Sequence, residues 1–283
     1  SIDLGDPEAL LAGLALAYGD SARPANPAGW VDLERVREEV YDPDTPPEDS
    51  RRFYLNQITA AADAWVSPAE FDANLRPELA PLSDGEAVAL GFDGSLRDDS
   101  TALVAVRMSD GAPFLLGLWE KPEGPQGAGW EVDKTQVRDK VAHEFERLDV
   151  LAFFADVALW ETDVDAWRAE HGERLLVKAK PGHAVAWDMR TKQADTVRAV
   201  EALHRRIVDR EAPHDGNLAF RRHVLNARRR PNRWGVSFGK ETRESPKKVD
   251  ALAAWVLADM ARQRCLAEGV TGRRKKVGRL VGF

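Results

Sequence analysis

Three aspartates in this 283-residue chain stand where a carboxylate is costly unless something compensates it. Asp93 ends the apolar run EAVALGFD (86–93), Asp156 ends VLAFFAD (150–156), and Asp250 lies early in the last helical stretch, VDALAAWVLADM (249–260). A carboxylate that follows several buried apolar residues must be solvated, paired or bound to a metal. Strand ends in open α/β sheets are also where ligands bind. Taken singly, each aspartate has a structural reading. Phe92-Asp93-Gly94-Ser95 reads equally as a turn, and an acidic residue near a helix start is favoured by the helix dipole. Taken together, at matching ends of their elements, the three point to one acidic site.

The elements that must carry them follow from periodicity. Residues 86–93, 101–108 and 113–121 are strand-like apolar runs, and Ser109-Asp110-Gly111-Ala112 joins the last two as a hairpin turn. GPQGAGW (124–130) reads as a loop. A helix is expected over 133–148, with Val137, Val141, Phe145 and Leu148 at helical spacing, and a buried strand over 150–155. Further helices are expected over 161–171 and 188–209, and strands over 174–179 (RLLVKA) and 234–238 (WGVSF). Ser245-Pro246 predicts the start of the final helix, with Ser as N-cap and Pro at the first helical position. On that helix Val249, Leu252, Ala253, Val256, Leu257 and Met260 form one apolar stripe, and small Ala253 and Ala254 would let it lie close on a sheet. This order of elements predicts a mixed α/β sheet covered by helices. Ahead of it, residues 1–85 are acidic and Pro-rich, with helical spacing at 31–40 and 52–65 but too little apolar surface for a separate core. The chain opens on Ser1 rather than Met, which predicts a fragment or a processed protein.

Composition narrows the class. The chain is 43% hydrophobic and 31% charged, an ordinary soluble globular balance, and it has no run of 18 apolar residues to span a membrane. The single Cys265 excludes an internal disulfide and a zinc ribbon, so a reducing cytosol is the expected compartment. The net charge of −7 conceals a gradient: residues 1–100 carry 7 basic and 21 acidic side chains, residues 201–283 carry 20 and 9. An acidic front with a basic back signals a charged partner. The histidines lack zinc-ligand spacing, and no GxSxG elbow or GxxxxGK[ST] phosphate loop occurs.

At LGFDGSLRDDSTALV (90–104), FFADVALWETDVDAW (153–167) and SPKKVDALAAWVLADMA (245–261), in this order, the chain resembles the nuclease domain of the large terminase subunit of tailed bacteriophages. RFYLNQITAAADAW (52–65) resembles the connector that precedes it. The resemblance implies a ribonuclease H-like mixed sheet flanked by helices over 86–268. It makes 1–85 a linker or the remnant of a preceding ATPase domain, and 269–283 a basic tail. It also implies a metal-dependent endonuclease that cuts concatemeric viral DNA during genome packaging, in the cytoplasm of the infected bacterial host. Asp93, Asp156 and Asp250 match the catalytic carboxylates, and Asp99 an auxiliary metal ligand, with neighbouring Asp98 as its rival. Oxygen ligands suit Mg2+ or Mn2+, and two such ions can activate a water and stabilise the leaving oxygen.

The basic segment around RRHVLNARRRPNRWG (221–235) fits a DNA partner. Arg228, Arg229, Arg230, Arg233, Lys240, Arg243, Lys247 and Lys248 lead directly to Asp250, and phosphate contacts of this kind carry no sequence code. Partners implied by the resemblance are double-stranded DNA, the terminase ATPase domain, the small terminase subunit and the portal. Other readings stay open: a Holliday-junction-resolvase-like nuclease using the same carboxylates, a non-catalytic DNA-binding packaging module, or an actin-like ATPase or sugar kinase whose first strand also ends in Asp-Gly-Ser.

Overall fold

A computed structural model describes residues 2–24, 26–42, 45, 50–56, 63–242 and 245–272. The chain divides into two compact units, residues 1–63 and 64–283. The first has helix α1 (Pro7–Tyr18), a two-residue parallel pair β1 (Ala22–Arg23) and β2 (Val31–Asp32), and helix α2 (Leu33–Val40). Asp6 and Asp32 cap the helices, each accepting two backbone N–H groups of the first turn. Leu10, Leu14, Ala22, Val31, Leu33, Val40 and Leu55 are buried together. The region therefore has a small core of its own, where the sequence pattern suggested none. Of the helix expected over 52–65, residues 57–62 lie outside the described residues, and the described start is a single π-helical turn, Ser50–Tyr54.

The second unit begins well before the composition change at Glu86, because Trp65, Val66 and Phe71 are buried in its core. After helix α3 (Pro68–Asp72), strands β3 (Ala87–Asp93), β4 (Thr101–Arg107) and β5 (Pro113–Trp119) form an antiparallel meander. Helix α4 (Lys134–Arg147) crosses to β6 (Asp149–Asp156), which pairs parallel with β3. Helix α5 (Glu161–His171) precedes β7 (Ala186–Trp187), parallel to β6. The sheet order is β5-β4-β3-β6-β7. Helices α6 (Gln193–Val208) and α7 (Leu218–Leu225) follow, then a separate hairpin of β8 (Arg228–Asn232) and β9 (Gly235–Gly239), and the closing helix α8 (Asp250–Ala267). This is the expected mixed α/β sheet flanked by helices.

Both faces of the sheet are covered. Val88, Leu90 and Phe92 of β3 pack with Leu103 and Ala105 of β4 against Val137, Val141 and Phe145 of α4 and Val164 and Trp167 of α5. On the other face α8 lies across β3, β4 and β6. It is buried nearly all round from Asp250 to Ala261, as befits a helix inside a core. Gly91 makes this approach possible: a Cβ there would stand 2.0 Å from the Ala254 carbonyl oxygen and 2.3 Å from the Ala258 nitrogen. Of the two small residues expected to bring α8 close to the sheet, Ala254 meets Gly91, and its partner there is Ala258 rather than Ala253.

Three local expectations are corrected. Residues 174–179 are not a strand. Leu176 and Val177 both direct their N–H groups to the Leu151 carbonyl, while β6 pairs instead with Ala186–Trp187. Helix α6 starts at Gln193 rather than 188, because the Asp188 side chain accepts the N–H groups of Arg190 and Thr191 and closes a turn first. Helix α8 starts at Asp250, and Ser245 caps only a local turn through Lys247 N–H.

Candidate functional site

Strand parity decides which way the carboxylates face. Side chains alternate along a strand, so Asp93 shares the face of Gly91, which lies under α8. By the same rule Asp156 shares the face of Phe154, which packs with Leu257 and Ala261 of α8. Asp250 is the first residue of α8, at the end of the helix that meets these strand termini. Residues far apart in sequence thus come to one edge of the sheet.

Their electrostatics report the proximity. The Asp93 carboxyl is held well above the ordinary carboxylate range, first by loss of solvent and then by the charges of Asp250, Asp156 and Asp99. Asp250 is pushed up to about 6 by burial and by Asp99; the Ser100 N–H, 3.3 Å from its Oδ2, and Lys240 act against the rise. Burial also raises Asp156, partly offset by the Met189 N–H at 3.1 Å and by Arg190. These groups form an electrostatic cluster that repels itself, the condition a divalent cation relieves.

Asp99 joins the cluster; Asp98 does not. Lys240 and Lys248 both ion-pair with Asp99, Lys248 at 3.2 Å. Asp98 is exposed and bridges to Lys121 at 3.0 Å. Among the described residues, no three His, Cys, Asp or Glu side chains already converge to hold a metal ion. The donor set nonetheless fits one chemically, since it consists of hard carboxylate oxygens with no thiol or imidazole among them. Asp163, in the first turn of α5, is buried between Lys134 and Arg138.

The basic segment is distributed, not continuous. Arg228 is buried, with its guanidinium donating to the Leu225 carbonyl. Arg230 donates to the carbonyls of Arg229, Lys240 and Glu241 across the base of the hairpin. Lys247 pairs with Glu241, Arg229 lines a pocket with Trp65, and Arg233 stacks on half-exposed Trp234. Arg243 lies outside the described residues. Two clefts flank the acids. A cleft of about 1070 Å3 on the Asp99 side is lined by Asp99, Glu120, Arg222, Lys240, Lys247 and Lys248. A smaller one, about 260 Å3, is lined by Arg190, Lys192, Arg233 and Trp234, next to the segment that contacts Asp156.

Several residues of this neighbourhood were not singled out from sequence. Glu120 follows the apolar run of β5, the same strand-end signal that marked Asp93 and Asp156. Its carboxylate receives Arg222 and, at 3.1 Å, the ring of His223. His223 is fully buried, and its spacing from Phe220 and Val224 on one helical face was the available clue. Arg190 and Lys192 fall in what reads as helix interior and carried no signal.

Comparison with known proteins follows the same lines. No family model matches the chain. It is 38% identical over 286 residues to the Gene 13 protein of Mycobacterium phage L5, covering 97% of this chain and 46% of that protein. The Gene 13 protein of Mycobacterium phage D29 is likewise 38% identical, with 97% and 45% covered. The chain therefore spans about half the length of the curated relatives it matches. Among solved structures, the large terminase of bacteriophage HK97 matches with a TM-score of 0.50 at 17% identity, over 92% of this chain and 55% of that one. The large terminase nuclease of thermophilic phage G20c aligns over 67% of this chain and 95% of that one, at 12% identity and TM-score 0.45. Over nearly its whole length the chain is similar to about half of each mycobacteriophage gene 13 protein, and its fold is that of the matched part of the HK97 large terminase.

Proposed function

We propose that this chain is the nuclease part of a phage DNA-packaging protein, a metal-dependent endonuclease that cuts concatemeric viral DNA. The observation that carries the reading is the gathering of Asp93, Asp156 and Asp250 where β3, β6 and the start of α8 meet, with the buried Asp93 carboxyl exposed to the charges of both others. Homology to phage proteins and the terminase fold support it.

Asp93, Asp156 and Asp250 would hold Mg2+ or Mn2+, with Asp99 as a fourth ligand. Two such ions, when bound, supply an activated water and charge stabilisation at the scissile phosphodiester. The chain does the rest. Gly91 and Ala254 bring α8 against β3, so Asp250 meets Asp93. Lys240 and Lys248 neutralise Asp99, and they lie in the larger cleft, where a DNA phosphate would compete for them. Arg233, Lys247 and the cleft residues Arg190 and Lys192 offer charge to the backbone of double-stranded DNA, without base readout. The remaining partners of this reading are an ATPase domain, a small terminase subunit and the portal, and its setting is the cytoplasm of the infected host. In this reading residues 1–63 belong to the segment that joins the motor to the nuclease.

The test is cleavage of supercoiled plasmid by the purified chain in Mn2+, in Mg2+ and in EDTA. Metal-dependent cutting that disappears in Asp93→Ala is expected. An Asp93→Ala protein that still cuts in Mn2+ refutes the assignment. One observation favours a second reading, a non-catalytic DNA-binding packaging module: lysines already hold Asp99, and no three ligands stand converged among the described residues. That reading requires salt-sensitive DNA binding with no metal-dependent cutting at any enzyme concentration.

A further inference from the structure

The N-terminus of α8 is held by a closed chain of hydrogen bonds that none of the proposed metal ligands explains. A helix start leaves backbone N–H groups without partners, and a nearby Ser, Thr, Asp or Asn usually takes one. Here Val249 occupies the cap position and provides no side-chain acceptor. The Ala251 N–H instead donates to Nδ1 of His223, 28 residues earlier, at 3.1 Å. That bond sets the tautomer. With Nδ1 accepting, the ring proton resides on Nε2, which donates to Glu120 Oε1 at 3.1 Å. Ser100 Oγ donates to the same Glu120 oxygen at 3.4 Å, and the Ser100 N–H donates to Asp250 Oδ2 at 3.3 Å. The path runs from Asp250 through Ser100, Glu120 and His223 and returns to the residue bonded to Asp250.

Each member has a defined place. His223 is fully buried, so it touches neither solvent nor substrate. Glu120 has both oxygens engaged: Oε1 by His223 and Ser100, Oε2 by Arg222. It is therefore not a spare ligand. Asp250 is restrained at its carboxylate by the start of β4 and at its backbone by α7.

We infer that His223 and Glu120 are positioning residues that set the direction of the Asp250 carboxylate and, through it, the affinity of the acidic site for a divalent cation. The inference rests on the metal-binding reading proposed above. Partners that orient a metal ligand typically contribute about 10–100-fold in affinity.

The test is calorimetric titration of Mn2+ into the metal-free chain without DNA, so binding is read apart from cleavage. His223→Ala and Glu120→Ala are expected to weaken Mn2+ binding about 10–100-fold. Glu120→Gln keeps the Oε1 acceptor and His223→Asn keeps an acceptor for the Ala251 N–H, so both are expected to recover most of the loss. The decisive comparison is in the Asp250→Asn background, where His223→Ala should cost nothing further, because its effect passes through Asp250. Circular dichroism and melting confirm that each variant is folded. Glu120 lies at the cleft rim, so its variants keep the test usable where His223→Ala fails to fold. Unchanged Mn2+ affinity in folded Glu120→Ala and His223→Ala, or equal losses with and without Asp250, overturns the inference alone. A parent chain that binds no Mn2+ overturns the metal reading and the inference with it.

Discussion

The geometry makes its sharpest demand at Gly91. A methyl group added there would sit 2.0 Å from the Ala254 carbonyl oxygen, 2.3 Å from the Ala258 nitrogen and 2.9 Å from the Ala258 Cβ. Ordinary contacts between heavy atoms begin near 3.5 Å, so α8 would have to retreat by roughly 1.5 Å. The two closest atoms are main chain and have no rotamer to escape into. Overpacking of a core typically costs about 1–3 kcal/mol, and with backbone on both sides the cost belongs at or above ~3 kcal/mol. That is a large part of the ~5–15 kcal/mol that holds a domain together. The retreat also draws Asp250 from Asp93, since Ala254 lies one helical turn beyond it on α8. Misplacing a catalytic group by about 1 Å can cost ~100-fold in rate. Gly91→Ala should therefore lower the guanidinium midpoint markedly and reduce Mn2+-dependent plasmid cleavage by about two orders of magnitude where the protein remains folded. Gly272→Ala, with nothing within 4 Å of its added carbon, is the control and should change neither. A Gly91→Ala chain within ~0.5 kcal/mol of its parent and fully active refutes the close packing on which the site was built.

Asp250→Asn should abolish cleavage yet stabilise the metal-free chain. The folded carboxyl, at about 6 against an ordinary 3.8, contributes stability below 3.8 that is lost as pH rises through 6. The difference approaches ~3 kcal/mol by pH 8 in urea melts with EDTA, and a variant less stable than its parent there refutes it. Buried His214 and His171 are held below 6.5 by loss of solvent, so their contribution is full above 6.5 and is lost as pH falls below it. Because this trend opposes that of the raised carboxyls Asp93, Asp156 and Asp250, it should be read with all three replaced by Asn, as a melting temperature that drops from pH 7 to pH 5; a flat profile contradicts it. Asp163→Ala removes the shared anion of Lys134 and Arg138 and should cost ~2–3 kcal/mol in a denaturant melt, against near-neutrality for exposed Asp98→Ala. Replacing Lys247 and Arg233 by Ala should weaken DNA binding in EDTA for every sequence alike and flatten the salt dependence by about one unit of slope each; a sequence-selective loss would reject backbone contact.

What was legible in the sequence was whatever depends on neighbours along the chain. Apolar runs located β3, β4 and β6 to within a residue or two, because a strand buried on both faces leaves no polar interruption until it ends, and the half-buried edge strand β5 was found by its own apolar run. The termini of those runs marked Asp93 and Asp156, and parity then placed both on the face of α8. What failed depended on partners distant in sequence. RLLVKA is as apolar as a strand, yet Leu151 offers its two N–H groups a single carbonyl and the ladder goes to Ala186–Trp187. Trp65 and Phe71 sit in an acidic, Pro-rich stretch, and only Trp255, Phe220 and their neighbours reveal it as core.

The start of α8 shows how this limit bears on function. Ser245-Pro246 has every local mark of a helix beginning, and a cap read from composition alone belongs there. The helix begins four residues later, and the Ala251 N–H of its first turn is accepted by a histidine from α7, not by a neighbouring side chain. Had Ser245 capped the helix, Asp250 would lie inside the second turn, its carboxylate turned by the helix and not by Ser100. A cap supplied from another element couples the end of α8 to α7 and β5, so the aspartate moves only if they move. A sequence can advertise a carboxylate at the end of an element; the direction in which that carboxylate points is set by residues that carry no mark of the role.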